Sequence, residues 1–539
     1  MFETSRLERD GFAARRSVVM TRNGMVATSQ PLASEAGLAI LKKGGNALDA
    51  AIATALTLGV VEPMSTGIGG DAFLLYYRAA DQRIYGVNGS GRCPRRLTLD
   101  ALRQRGIKGV PATGWGSVTV PGAIDAFAAV LARHGRLSLA EVVEPALMYA
   151  RDGFPVSEVI AQQWRHDAPL LSQHLASAQT YLVDGKPPRA GDVHRQPHLA
   201  ETLRILADEG RDAFYHGAIA KRIVAFSQAD GGFFDMEDFA AHTTEWVEPI
   251  GTDYRGHTVL ELPPNGQGIT ALMALNVLEG FDLAAHEYGS APYYHLLIEA
   301  TKQAFADRNR YVADPAFAGV PVAGLLSKAY AAARRREIDS QRASDFSPGT
   351  PAAFGDTVYV SCVDAERNVV SLIHSLFQGF GSGIVAGDTG VCLQNRGAGF
   401  AADPSHPNAL QPGKRPFHTI IPALILRDGK PWLCYGVMGG HMQAQGHVQV
   451  ALNSIDFGMN VQEALEAPRC RIMGGREVAL ERAIPQAVRD ELGFMGHELW
   501  PRGAQNVSYG GGQAILIDHE RGVLQGGSDY RKDGCALGY

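Results

Sequence analysis

The 539-residue sequence predicts an α+β fold in which antiparallel sheets lie under packed helices. Three observations lead there. The first half carries runs at helical spacing, one of them apolar nearly all round. The stretch after residue 356 turns to alternating strands joined by short polar turns. No repeat of fixed period runs through the chain, which sets aside solenoids and propellers.

Each element follows from local signals. Residues 34–43, SEAGLAILKK, place apolar groups on one helical face with Ser34 as the expected cap. Gly44 and Gly45 stop that helix, and Asn46 can cap the next, ALDAAIATALTLGVV, whose composition predicts burial on every side. STGIGGD (65–71) reads as a turn needing close backbone approach, followed by the strand AFLLYYR and a second strand at 84–88. Helices are predicted in AIDAFAAVLARHG, after Pro121-Gly122, and over 138–151, where Pro145 is a candidate interruption. From 190 to 335 the pattern is mostly helical. Residues 340–356 are rich in Ser, Pro, Gly and Ala without periodicity and read as a flexible or surface segment. Beyond it, TVYVSCVD and VVSLIHSL form a strand pair around AERN; FHTIIPALILRDG with KPWLCYGVM, and GGQAILIDH with GVLQGGSD, repeat the arrangement.

Composition excludes several classes. Hydrophobic residues make up 45% and charged residues 20%, with a net charge of -6, so no nucleic-acid surface is expected, and Arg334-Arg335-Arg336 reads as a solvent-facing helical run. No span reaches about 18 uninterrupted apolar residues, and MFETSRLERDGF lacks the features of a signal peptide, so the expectation is a cytoplasmic protein that makes no membrane contact. Six scattered cysteines show no zinc or disulfide spacing, and the histidines show no HExxH pattern; no metal and no cofactor are expected.

A threonine opening a strand is ordinarily structural, because β-branched residues suit strands. Thr357 stands at the end of the Ser/Pro/Gly segment, and what surrounds it matters more than its position. GDTVYVSCVDAERNVVSLIHS and FGSGIVAGDTGVCLQN resemble the start of the small subunit of gamma-glutamyltransferases. The likeness continues through PGKRPFHTIIPALI, GVMGGHMQAQ, GGGQAILID and GGSDYRKDGCALGY, and in the first half through GGNALDAAIATALTLGVVEP, STGIGGDAFLLYY and ELPPNGQG. It spans essentially the whole chain. It implies the four-layer α/β/β/α sandwich of N-terminal nucleophile hydrolases, with antiparallel sheets. It also implies self-cleavage between Asp356 and Thr357 into a large piece, 1–356, and a small piece, 357–539, that build one core together.

Such a cut has a chemical reason. A threonine hydroxyl is a weak nucleophile that needs a base beside it. Cleavage frees an α-amine with a pKa of about 8, which can take the proton directly or through one water. The resemblance places the oxyanion hole at Gly439-Gly440 and a supporting hydroxyl at Ser375.

The recognition residues depart from the family. Ser90 stands where an Arg binds the glutamyl carboxylate, with Arg92 two residues later; Gly399 stands where an Asp helps bind the α-amine. Phe377 matches an Asn, Arg396 a Gln, and His418-Thr419 a pair of serines. His418 can be a pocket hydrogen-bonding residue or a satisfied strand histidine. The segment between Gly399 and His418 is shorter than in the glutamyl-transferring members, implying no lid. The resulting expectation is an autoprocessing amidohydrolase acting on the amide of a small acyl group that carries a carboxylate and no ammonium, such as oxamate. Alternatives are a gamma-glutamyltransferase or glutathione hydrolase, a glutaryl-type cephalosporin acylase, and an uncleaved binding or structural homologue. The expected partners are the small-molecule amide and the two pieces of one precursor, with a dimer of that heterodimer left open.

Overall fold

The computed structural model describes residues 14–346, 356–500 and 506–539. Two seven-stranded sheets form its centre, and every pairing in them is antiparallel. One runs Val19–Thr21, Val523–Ser528, Gly512–Asp518, Lys430–Val437, Ala423–Arg427, His257–Glu261, Ile250–Tyr254. The other runs Cys535–Gly538, Met25–Thr28, Asp356–Val363, Val369–Phe377, Asp71–Arg78, Arg83–Gly89, Glu245–Val247.

Strand alternation divides the core into three slabs. In Asp356–Val363, Val358, Val360 and Cys362 face a helical layer, while Tyr359 and Val363 face the opposite sheet. Phe73, Leu75, Ile373, Leu424, Ile515 and Leu524 fill the space between the sheets. Helices Pro31–Lys42, Ala47–Val61, Ala123–His134 and Leu139–Asp152 cover one outer face; Gly268–Leu278, Ala291–Tyr311 and Met442–Ile455 cover the other. The result is the predicted α/β/β/α sandwich.

Local signals explain most of these elements. Ala47–Val61 is buried along its whole length, with Asn46 and Asp49 forming a reciprocal capping box. Four expectations change. The helix containing 34–43 starts at Pro31 with the Gln30 side chain as its cap; Ser34 lies one turn inside and donates to the Cys535 carbonyl at 2.9 Å. The 190–335 stretch contains three strands between Glu245 and Glu261, two of them joined at Arg255-Gly256, both at positive φ as a tight hairpin turn requires. The strand expected in FHTIIPALILRDG begins only at Ala423, after Pro422. Finally, Arg335 is not solvent-facing: it donates to the carbonyls of Asn276 and Val277 at the end of a neighbouring helix. Residues 347–355 of the Ser/Pro/Gly segment lie outside the described residues. No helix among the described residues is long and apolar enough to cross a membrane.

Candidate active site

The strand Asp356–Val363 runs unbroken across the Asp356–Thr357 peptide, with a register shift between Asp356 and Val358. That shift seats Thr357 at a strand end, 1% exposed, facing Ser375 on the neighbouring strand at an Oγ1–Oγ distance of 3.1 Å. Ser375 Oγ also accepts the Phe377 N–H at 2.7 Å and an Arg396 N–H at 3.2 Å. Across the Thr357–Ser375 contact either hydroxyl can be the donor. Phe377 holds a positive φ of 88°, and its ring lies 4.2 Å from the Arg396 guanidinium carbon.

Gly439 and Gly440 follow the strand Lys430–Val437 and precede the helix Met442–Ile455. Their φ values of 118° and 60° lie in the left-handed region that glycine tolerates best. The Gly439 carbonyl accepts Met442 N–H, and the Gly440 carbonyl accepts Gln443 N–H and the Gln267 side chain. Both carbonyls therefore point into the helix start, so the Gly440 N–H points the opposite way. Neither glycine N–H donates to another group among the described residues. Two free donors at a helix N-terminus are suited to a developing oxyanion. Arg308 braces this turn by donating to Gln267 Oε1 at 3.0 Å and facing His441 Nδ1 at 3.2 Å. Burial, then Arg308, Arg471 and Arg396, hold the His441 imidazolium well below its usual range, keeping the ring neutral.

The recognition positions divide into two groups. Arg396 is fully buried, donates to Thr419 Oγ1 at 2.8 Å and Ser375, and its Nε has no hydrogen-bond partner among the described residues. Burial pushes its guanidinium down to about 9, with Asp71 opposing. Arg92, by contrast, is held by Glu245 at 3.0 Å and by the Gly413 carbonyl at 3.1 Å. Ser90 donates to Asn88 at 2.7 Å, and its carbonyl takes the Nε–H of Arg415, a buried residue that also pairs with Glu245. The His418 Nδ1 accepts Ile420 N–H at 3.3 Å, so its Nε2–H is directed to Asp71 Oδ2 at 3.1 Å; both ring nitrogens are engaged within the protein. Gly399 offers no side chain, and its carbonyl accepts from Asn408 at 2.6 Å. The Gly399–His418 stretch folds back on itself through an Ala401–Ala409 bridge.

Sequence reasoning missed Asp71, Gln267, Arg308, Arg415 and Gln443. Asp71 closes STGIGGD and binds the Gly91 and Gly122 N–H groups and Gln394 through Oδ1; burial raises its carboxyl to about 6. Gln443 sits three residues after Gly440 and reaches Thr357. Elsewhere, His295, Glu299 and His497 bring ligand atoms within 4.8 Å of one another, but the Lys302 ammonium already sits 2.7 Å from Glu299.

Two stacked antiparallel sheets between helical layers, with a buried threonine near the start of a central strand, are the architecture of the N-terminal nucleophile hydrolases, enzymes that cleave amide bonds. The gamma-glutamyltranspeptidase family model matches residues 33–539, and the chain belongs to that family. It is 42% identical to the glutathione hydrolase-like YwrD proenzyme of Bacillus subtilis, over 97% of this chain and 99% of the relative. Identity to the oxamate amidohydrolase proenzyme of Klebsiella pneumoniae is 35%, over 96% and 99% of the two chains. The crystal structure of a cephalosporin acylase from Bacillus halodurans superposes with a TM-score of 0.93 at 44% identity, covering 100% of this chain and 99% of that one. The protein is thus an enzyme of amide hydrolysis.

Proposed function

We propose that the chain is a proenzyme cut between Asp356 and Thr357, and that the freed Thr357 hydrolyses the amide of a small carboxylate-bearing acyl group through an acyl-enzyme. Thr357 Oγ1 attacks the amide carbonyl while its α-amine takes the proton; the oxyanion sits on the Gly439 and Gly440 N–H groups. The departing amine takes that proton, and water then hydrolyses the ester. Relatives named as proenzymes, an oxamate amidohydrolase among them, support this reading.

One observation carries the substrate class. Arg396 is a buried cation bonded to Ser375, whereas Gly399 and Phe377 supply no carboxylate for a donor ammonium. Asp71, the acid nearby, is taken up by Gly91, Gly122, Gln394 and His418. A substrate carboxylate facing a guanidinium avoids the several kcal/mol that an unpaired buried ammonium costs. Arg92 is the weaker anchor because Glu245 already neutralises it. The test compares kcat/KM on mature protein for oxamate, a glutaryl amide and a gamma-glutamyl anilide, with and without an acceptor dipeptide. Higher values for either of the first two are expected. Arg396→Gln should cost them roughly 10- to 100-fold, and Arg92→Gln less than about 3-fold. Strong preference for the gamma-glutamyl donor would overturn the substrate assignment. Such a result would favour the reading suggested by the glutathione hydrolase-like relative.

A further inference from the structure

We infer that Gln443 is a catalytic residue of the second half-reaction, its side-chain N–H stabilising Thr357 Oγ1 as that oxygen leaves the acyl group. The inference rests on the acyl-enzyme reading above. Gln443 is fully buried in the first turn of the helix Met442–Ile455. Its Oε1 accepts the Ile421 N–H at 3.1 Å, which fixes the orientation of the amide. The nitrogen must then face Thr357 Oγ1, 3.4 Å away. An amide nitrogen has no basic lone pair, so Gln443 cannot take the threonine proton; it can only donate. A resting contact of this length can shorten when its acceptor gains charge.

The ground state of Oγ1 differs between the two halves of the reaction. Before acylation the Gln443 N–H already faces the hydroxyl oxygen, so it stabilises ground and transition states alike and brings little rate benefit. The acylated ester oxygen is a poor acceptor, so the gain comes as that oxygen leaves. In deacylation, water adds to the ester carbonyl and passes a proton to the Thr357 α-amine. The tetrahedral intermediate then collapses, the acyl C–Oγ1 bond breaks, and its electron pair goes to Oγ1, which receives the proton from the α-ammonium. Until that proton arrives, the Gln443 N–H and Ser375 hydroxyl meet the charge. Self-cleavage passes through the same chemistry, since the Asp356–Thr357 ester must also release Oγ1.

Stopped-flow turnover of whichever donor anilide the wild type hydrolyses tests this, with Gln443→Leu and the isosteric Gln443→Glu, which keeps the bond to Ile421 N–H. A burst of aniline at a rate within about 3-fold of wild type is expected. The steady-state kcat should fall about 10- to 100-fold with KM falling in parallel, and acyl-Thr357 should accumulate on acid quench. Acylation slowed as much as kcat, or an unchanged kcat, would overturn the assignment. Should a variant stay unprocessed, hydroxylamine is expected to split it at 356–357 through the trapped ester; resistance to hydroxylamine would equally overturn it. A wild type that processes itself but turns over no donor would defeat the amidase reading while leaving this ester readout intact.

Discussion

A threonine hydroxyl and an α-amine on one residue form a complete nucleophile–base pair, and in the proposed mechanism Thr357 gains the amine only when its peptide bond to Asp356 is broken. Thr357→Ala should therefore remain a single full-length chain on a denaturing gel and hydrolyse no amide. Two bands from that variant would assign the cut to an outside protease. Asp71 gives a second test at this scale. Its carboxyl ionises at about 6 in the fold against an ordinary 3.8, so the native state binds the extra proton and ionisation of Asp71 opposes folding. That penalty is absent below pH about 4 and complete above pH about 6, amounting to about 3 kcal/mol. In the uncleaved Thr357→Ala background, the stability of wild-type Asp71 relative to Asp71→Asn should fall by about that amount between pH 4 and pH 7, measured by urea unfolding. A pH-independent difference would contradict the linkage. Thr357, Ser375 and Gly439-Gly440 could be singled out as candidates because they match the family's motifs position by position. Asp71 and Gln443 lie inside two of the same motifs, STGIGGD and GVMGGHMQAQ, but nothing in the sequence says which way their side chains point, and Arg308 reaches the site from the helix Ala291–Tyr311, which only tertiary packing brings there.

At the level of elements, the turn between Lys430–Val437 and Met442–Ile455 depends on backbone shape. A Cβ on Gly439 would sit 3.2 Å from the Gly510 Cα, at a φ that L side chains rarely adopt. Gly439→Ala should lower kcat about 100- to 1000-fold with a smaller change in KM, the loss expected when an oxyanion donor is displaced. Equal loss in an equilibrium-binding assay with an uncleavable acyl analogue would instead indicate a collapsed pocket. Element type was readable where pattern and caps agreed, as in Ala47–Val61 between Asn46 and the STGIGGD turn. It failed for Glu245–Val247 and its two successors. Those strands are three to five residues long and partly exposed, so no window of useful length carries their period. Ser34 failed as a cap for a related reason: Pro31 can begin a helix without a donor N–H, and the chain exploits this three residues earlier.

Across the whole molecule, the two pieces expected from the cut interleave strand by strand. In one sheet, Asp356–Val363 and Val369–Phe377 lie between Met25–Thr28 and Asp71–Arg78. In the other, Ala423–Arg427 pairs with His257–Glu261, and Val523–Ser528 pairs with Val19–Thr21. Separating the pieces would open ladders in both sheets and bare the slab between them, so they should co-elute from a sizing column in high salt after processing. Dissociation under those conditions would refute a shared core. If the chain is cut as proposed, the interleaving also gives the protein a memory of its own maturation. Before the cut, refolding is unimolecular and independent of dilution. Afterwards the same topology can be regained only if two separate chains find each other, so heating a dilute sample should erase the mature form while leaving the precursor recoverable. On the proposed cut, each molecule would exchange a reversible equilibrium for a lifetime set by its unfolding rate, and breaking the Asp356–Thr357 bond would also end its capacity for unaided renewal.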